Sequence, residues 1–122
     1  MGLTELTQQN YAETVVKSDI PAVIEFYGRD CEVCKLLTPI FEKVSQEYKG
    51  KANWYKCDRI INSEIARKYG IKASSQIAVV YNDKVVGILP GARVSTSGAK
   101  GAVREEFLKQ MVNKYLESIV KK

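Results

Sequence analysis

Ala22–Tyr27 (AVIEFY) is the stretch that most restricts what this chain can fold into. It is short and largely apolar, without the regular polar alternation of a half-solvated strand. A strand of this kind is covered on both faces, so the fold needs a layer on each side of a sheet. Pro21 precedes the run, and the polar turn Gly28–Glu32 follows it. The chain then changes period. Leu36, Leu37, Ile40, Phe41, Val44 and Tyr48 recur at helical spacing, which predicts an amphipathic helix over Cys34–Tyr48. Pro39 lies inside this helix, removes one backbone donor and is expected to kink it. Gly50 is a natural stop.

The remaining segments alternate in the same way. Gln8–Val16 is a short helix candidate with Thr7 as its N-cap, broken by Ser18, Asp19 and Pro21. Asn53–Cys57 reads as a second strand, and Ser63–Tyr69 as a short helix closed by Gly70. Gln76–Tyr81 and Lys84–Leu89 read as a hairpin around Asn82-Asp83, a pair that tolerates positive φ. Arg93–Ala102 reads as a loop. Val103, Phe107, Met111, Val112, Tyr115, Leu116 and Ile119 give a last amphipathic helix. No repeat or long linker divides the 122 residues, and 45% are hydrophobic, enough for one core without disulfide staples. The expectation is a single α/β domain over residues 1–122, with a central mixed sheet sandwiched by helices.

Absences narrow the function. The chain has no His, which excludes histidine triads and histidine-ligated metals. No apolar run approaches the ~18 residues that span a bilayer, so no membrane association is expected. Met1–Asn10 is polar and lacks the apolar stretch of a signal peptide. Three Cys are too few and of the wrong parity for a secreted disulfide framework, which points to a reducing cytoplasm. The net charge of +5 is spread along the chain and is not the footprint of a nucleic-acid-binding protein.

Cys31-Glu32-Val33-Cys34 is the motif that carries chemistry. It follows the apolar strand and opens the helix. A sulfur there faces unpaired backbone N–H groups and the positive end of the helix dipole, both of which favour thiolate. The spacing lets the second sulfur attack a mixed disulfide formed at the first. Cys31 is thus the candidate nucleophile and Cys34 the resolving thiol. Zinc sites also use C-x-x-C, but they need a second pair of ligands, and only Cys57 remains. Two chance cysteines are the third reading. Cys57 itself, between Lys56 and Asp58, is expected to be a small core residue.

Around this motif the chain resembles the thioredoxin family, over about Leu6–Leu116. The resemblance is carried by VIEFYGRDCEVCK, by Pro39 five residues after Cys34, and by YKCD, ARKYGI, VVYNDKVVGIL and PGA. It implies the thioredoxin fold and a dithiol that reduces protein disulfides without a bound cofactor. It also implies disulfide-containing protein substrates, a flavin-dependent, thioredoxin reductase-like electron donor, and a monomer. Glu25 stands where the family has a buried acid beneath the second cysteine, the candidate acceptor of the Cys34 proton. Lys56 stands where a lysine pairs with that acid. Gly91 matches a glycine beside the active-site surface, where a side chain would obstruct a docking partner.

The departures from the family cluster at the same place. Glu32-Val33 replaces Gly-Pro, Asp30 replaces the Trp before the first cysteine, and Tyr27 stands for an earlier aromatic. Asp30 and Glu32 oppose a Cys31 thiolate, while Arg29 and Lys35 offset them. Ser75 occupies the place of the family's cis-proline, so Lys72–Gln76 is expected to run trans, with the Ser75 hydroxyl toward Cys31. Glu25 is one methylene longer than the usual Asp. The 93–102 segment is about six residues longer than the family's connection, which loop entropy tolerates. Tyr27, Asp30, Glu32, Val33, Ser75 and Gly91 are the expected substrate-contact residues. Two alternatives stand beside turnover: a binding module with an altered lip, and metal or iron–sulfur binding through Cys31 and Cys34.

Overall fold

The structure is a computed structural model and describes residues 3–94 and 100–120. Its sheet contains β1 (Thr4–Glu5), β2 (Ala22–Tyr27), β3 (Asn53–Asp58), β4 (Gln76–Tyr81) and β5 (Lys84–Pro90). The helices are α1 (Glu32–Ser45), α2 (Ser63–Lys68) and α3 (Glu105–Val120). The strand order is β1-β3-β2-β4-β5. β1, β3 and β2 run parallel, and β4 is antiparallel to both β2 and β5. This is the central mixed sheet that the sequence led us to expect, with β2 in the middle.

The two faces of β2 explain its unbroken apolar character. Ala22, Ile24 and Phe26 pack with Tyr55, Cys57, Ala78 and Val80 beneath α2 and the turn at Val15. Val23 faces the other way, with Trp54, Ile77 and Val79, under Leu37, Phe41 and Val44 of α1 and Leu108 and Val112 of α3. Full burial of each such large side chain contributes about 1.5–3 kcal/mol. The Phe41 and Trp54 rings pack in a tilted contact with centroids 4.6 Å apart, which holds α1 over β3. Glu25 has the parity of Val23 and so enters the α1 face.

Several ends obey the local chemistry of the sequence. Gly70 closes α2 with φ +75°. The Gly70 N–H donates to Arg67 O and the Ile71 N–H to Ala66 O, the paired C-cap bonds that a left-handed glycine permits. Asn82 and Asp83, at φ +55° and +61°, form the tight turn between β4 and β5. Asp83 also accepts from Tyr69 Oη at 2.7 Å and pairs with Lys68 at 2.6 Å, tying that turn to α2.

Four expectations need correction. The helix expected over Gln8–Val16 is only a π-helical turn, Ala12–Val16, although Thr7 Oγ1 does accept the Asn10 N–H as a cap would. The polar N-terminus contributes β1, because β3 otherwise presents a bare edge and its ladder can be completed by any backbone. Helix α1 begins at Glu32 and ends at Ser45, followed by a 3-10 turn at Gln46–Tyr48. The loop expected over Arg93–Ala102 is instead flanked by paired strands, β6 (Ala92–Val94) and β7 (Lys100–Ala102). The middle of that segment, 95–99, lies outside the described residues.

Candidate active site

β2 delivers the chain to the site, and α1 leads it away. Cys31 is the N-cap of α1, with φ −91° and ψ 102°, and its Sγ accepts the Cys34 N–H at 3.1 Å. The sulfur thus occupies the position where a Ser or Asp side chain normally satisfies an orphan helix donor. Cys31 and Cys34 are joined by a disulfide, with Cα atoms 5.2 Å apart. Cys31 is half-buried, whereas Cys34 is only 4% exposed. An incoming sulfur therefore meets Cys31 first. Asp30 and Glu32 are exposed and Val33 is half-buried, forming the rim. Glu32 pairs loosely with Lys35 at 3.5 Å, and both are so exposed that the pair contributes little.

Glu25 is fully buried on the face of β2 that α1 covers. Its Oε2 accepts from Thr38 Oγ1 at 2.8 Å, while its Oε1 has no hydrogen-bond partner. Burial raises its pKa from 4.5 to about 7, against the Thr38 hydrogen bond and the charge of Lys56, which lower it, and with a small upward push from Glu5. A carboxyl held near neutrality is suited to taking and returning a proton. Lys56 is in register with Glu25 across the β2–β3 ladder, so both lie on one face. Its ammonium is nonetheless 3.9 Å from Glu5, and acts on Glu25 only through its field. The pairing expected between Lys56 and Glu25 thus goes to an acid on β1, a strand the sequence did not reveal. Glu5 also accepts from Tyr27 Oη at 2.7 Å, and Tyr27 is held well above its ordinary pKa, first by burial and then by that bond.

A cleft of about 320 Å³ opens on these groups. Tyr27, Lys56 and Asp58 line its sheet side, and Cys31, Cys34 and Thr38 its helix side. A second groove runs along the other flank of Cys31, past Gly28, Arg59, Ile60 and Ser74. Arg59 Nε donates to Ser74 Oγ at 2.9 Å across it. Among the described residues, no group of three or more metal-ligating side chains gathers.

Ser75 and Gly91 sit deeper than expected. No cis peptide occurs among the described residues, so Ser75 follows a trans bond. It adopts φ +69°, is 6% exposed, and its N–H donates to Phe26 O at 2.7 Å. It is the neighbouring Ser74 that lines the groove beside Cys31. Gln76 Oε1 closes this loop by accepting the Lys72 and Ala73 N–H groups at 2.8 and 3.0 Å. Gly91 is buried, and a Cβ there would strike the Ser75 carbonyl and Leu37. Its smallness serves the packing of the loop rather than an open docking surface. Cys57 is fully buried on the opposite face from α1, and burial pushes its thiol up to about 12.

Sequence reasoning missed Thr38, Glu5, Arg59 and Ser74. Thr38 alone had a readable signal: it lies four residues after Cys34 and hence on the same face of α1.

The thioredoxin family model matches residues 2–104. The thioredoxin of Rickettsia bellii is 33% identical over 79 residues, covering 65% of this chain and 75% of the relative. Thioredoxin 1 of Nostoc sp. is 26% identical over 95 residues, 75% of this chain and 89% of the relative. The thioredoxin of Porphyra purpurea is 25% identical over 116 residues, 95% of this chain and 99% of the relative.

Proposed function

The chain belongs to the thioredoxin family, and from that premise we propose that it reduces protein disulfides through Cys31 and Cys34. Its C-x-x-C pair, at disulfide distance, is a thiol–disulfide oxidoreductase centre. The observation that carries the finer reading is the asymmetry of the pair: an approachable Cys31 capping α1, and a buried Cys34 whose carbonyl shares the Thr38 hydroxyl with the buried Glu25.

In the reduced state the Cys31 thiolate attacks one sulfur of the substrate disulfide, and the other substrate sulfur leaves as a thiolate. Cys34 then loses its proton to Glu25 and attacks Cys31 Sγ. The second substrate thiolate leaves, two electrons have passed to the substrate, and Cys31 and Cys34 are joined. An external donor of the flavin-dependent reductase class restores the dithiol. Tyr27, Asp30, Glu32 and Val33 shape the surface that meets the substrate, and the buried Ser75–Gly91 contact supports the loop behind it. A monomer acting in the cytoplasm fits this role. No helix among the described residues is long and apolar enough to cross a membrane.

Turnover of an unrelated protein disulfide with a chemical reductant tests this reading. The parent is expected to turn over, and Cys34→Ser to stop with one substrate held at Cys31, detected as a mass adduct. Binding without turnover in the parent would leave a recognition module instead.

A further inference from the structure

Thr38 carries one hydroxyl hydrogen but has two acceptors within reach. Its Oγ1 lies 2.8 Å from Glu25 Oε2 and 2.9 Å from the Cys34 carbonyl. A hydroxyl donates one hydrogen at a time and accepts through its lone pairs. While Glu25 is ionised, the hydrogen is drawn to the carboxylate, because charge-assisted bonds are the stronger ones. Once Glu25 is protonated, that attraction weakens and the Cys34 carbonyl becomes the better acceptor. Thr38 is half-buried and lines the cleft beside Cys34, so it joins the buried carboxyl to solvent.

We propose that Thr38 is a positioning residue for the resolving half-reaction. Its hydroxyl anchors Glu25 Oε2, re-aims between Glu25 and the Cys34 carbonyl as the carboxyl changes state, and leaves Oε1 free to take the Cys34 proton. Oε1 is buried and unpartnered, the one acceptor of this group that nothing else fills. The inference rests on Glu25 being the acceptor. In the step, the Cys34 S–H bond breaks and an O–H bond forms at Oε1. The sulfur electron pair makes the bond to Cys31 Sγ, and the substrate sulfur leaves as thiolate with the pair of the broken mixed disulfide. The proton is returned to water through the cleft when the carboxyl reionises.

Every element packed against Glu25 has to be counted in its titration. β3 brings Lys56 and β1 brings Glu5, itself held by Tyr27. α1 brings the Thr38 hydroxyl, and β4 brings only Ile77 opposite Glu25 in the ladder. Loss of the Thr38 donor removes one of the two influences that keep Glu25 ionised, the other being Lys56.

The test uses the reduced protein and a symmetric aromatic disulfide whose thiolate is coloured, in a single turnover. The first equivalent of colour reports attack by Cys31, and the second reports resolution by Cys34. Thr38→Val keeps the shape and removes the donor. Its second phase is expected to shift its pH midpoint upward by about one unit, slowing that phase roughly tenfold below neutrality. The first phase should not move, and Thr38→Ser should restore the second. Thr38→Ala carries the same expectation if the Val variant does not fold. If Glu25→Gln abolishes the pH dependence of the second phase while Thr38→Val and Thr38→Ala leave it unchanged, the role of Thr38 is overturned alone. If Glu25→Gln also changes nothing, or no second equivalent appears, the reading of Glu25 and Cys34 falls and this inference with it.

Discussion

Glu25 shows how a single side chain ties stability to chemistry. In the unfolded chain its carboxyl ionises near 4.5, and in the fold only near 7. The folded state therefore binds this proton more tightly, so its contribution is fully present below pH 4.5 and is lost as pH rises through 7. That preference corresponds to about 3 kcal/mol over that window. Denaturant unfolding of the oxidised protein is expected to show falling stability between pH 4.5 and 8, and Glu25→Gln to flatten that slope. A slope unchanged in the variant would place the titration elsewhere. The position of this acid was legible from its flanking Ile24 and Phe26, which make exposure implausible for a strand covered on both faces. Its partner was legible only in part: the spacing puts Thr38 on the Cys34 face of α1, but nothing local says that it meets a carboxylate rather than water.

At the level of elements, the site depends on a contact between two loops that are far apart in sequence. The Lys72–Gln76 loop reaches β2 through the Ser75 N–H, and its carbonyl packs on Gly91 at the end of β5. Gly91→Ala drives a methyl group into a backbone carbonyl that cannot rotate away. We expect a loss of about 1–3 kcal/mol, measured as a lower denaturant midpoint at unchanged slope. Turnover should fall with it, because the loop beside Cys31 must shift. A variant with parent stability would mean the loop has room that the geometry denies. Elements with strong signals were legible at this scale. β2 and the β4–β5 turn sit where their period and their Asn-Asp pair indicate, and α2 stops at Gly70. β1 and the β6–β7 pair were not, since two or three residues carry no period: β1 pairs because the β3 edge is at hand, and β6 and β7 pair only with each other.

For the molecule as a whole, the sheet divides the three cysteines between two environments. Cys31 and Cys34 stand at the end of α1, and Cys57 lies in the core beneath the other face. Thiol labelling of the reduced native protein is expected to modify Cys31 rapidly and Cys57 only as fast as the chain unfolds. Added denaturant should accelerate the buried Cys34 and Cys57 and leave Cys31 unchanged. Rapid native labelling of Cys57 would show that this core opens locally. Cys57→Ser should lower stability by burying a hydroxyl without a provided partner, and leave the resolving step unchanged.

The sequence determined what depends on nearest neighbours along the chain: the buried strand, the amphipathic helix after it, the C-x-x-C at its start, the hairpin turn and the helix-closing glycine. These are decided by period, by φ tolerance and by the orphan N–H groups of a helix end, all of which act within a few residues. Only the tertiary structure decided who meets Glu25. Parallel pairing brought Lys56 into register with it, an unforeseen edge strand brought Glu5 to claim the Lys56 ammonium, and α1 laid Thr38 against its carboxylate. Those contacts join residues from separate elements, and the energy of a buried charge depends on what surrounds it in space rather than on what adjoins it in the chain.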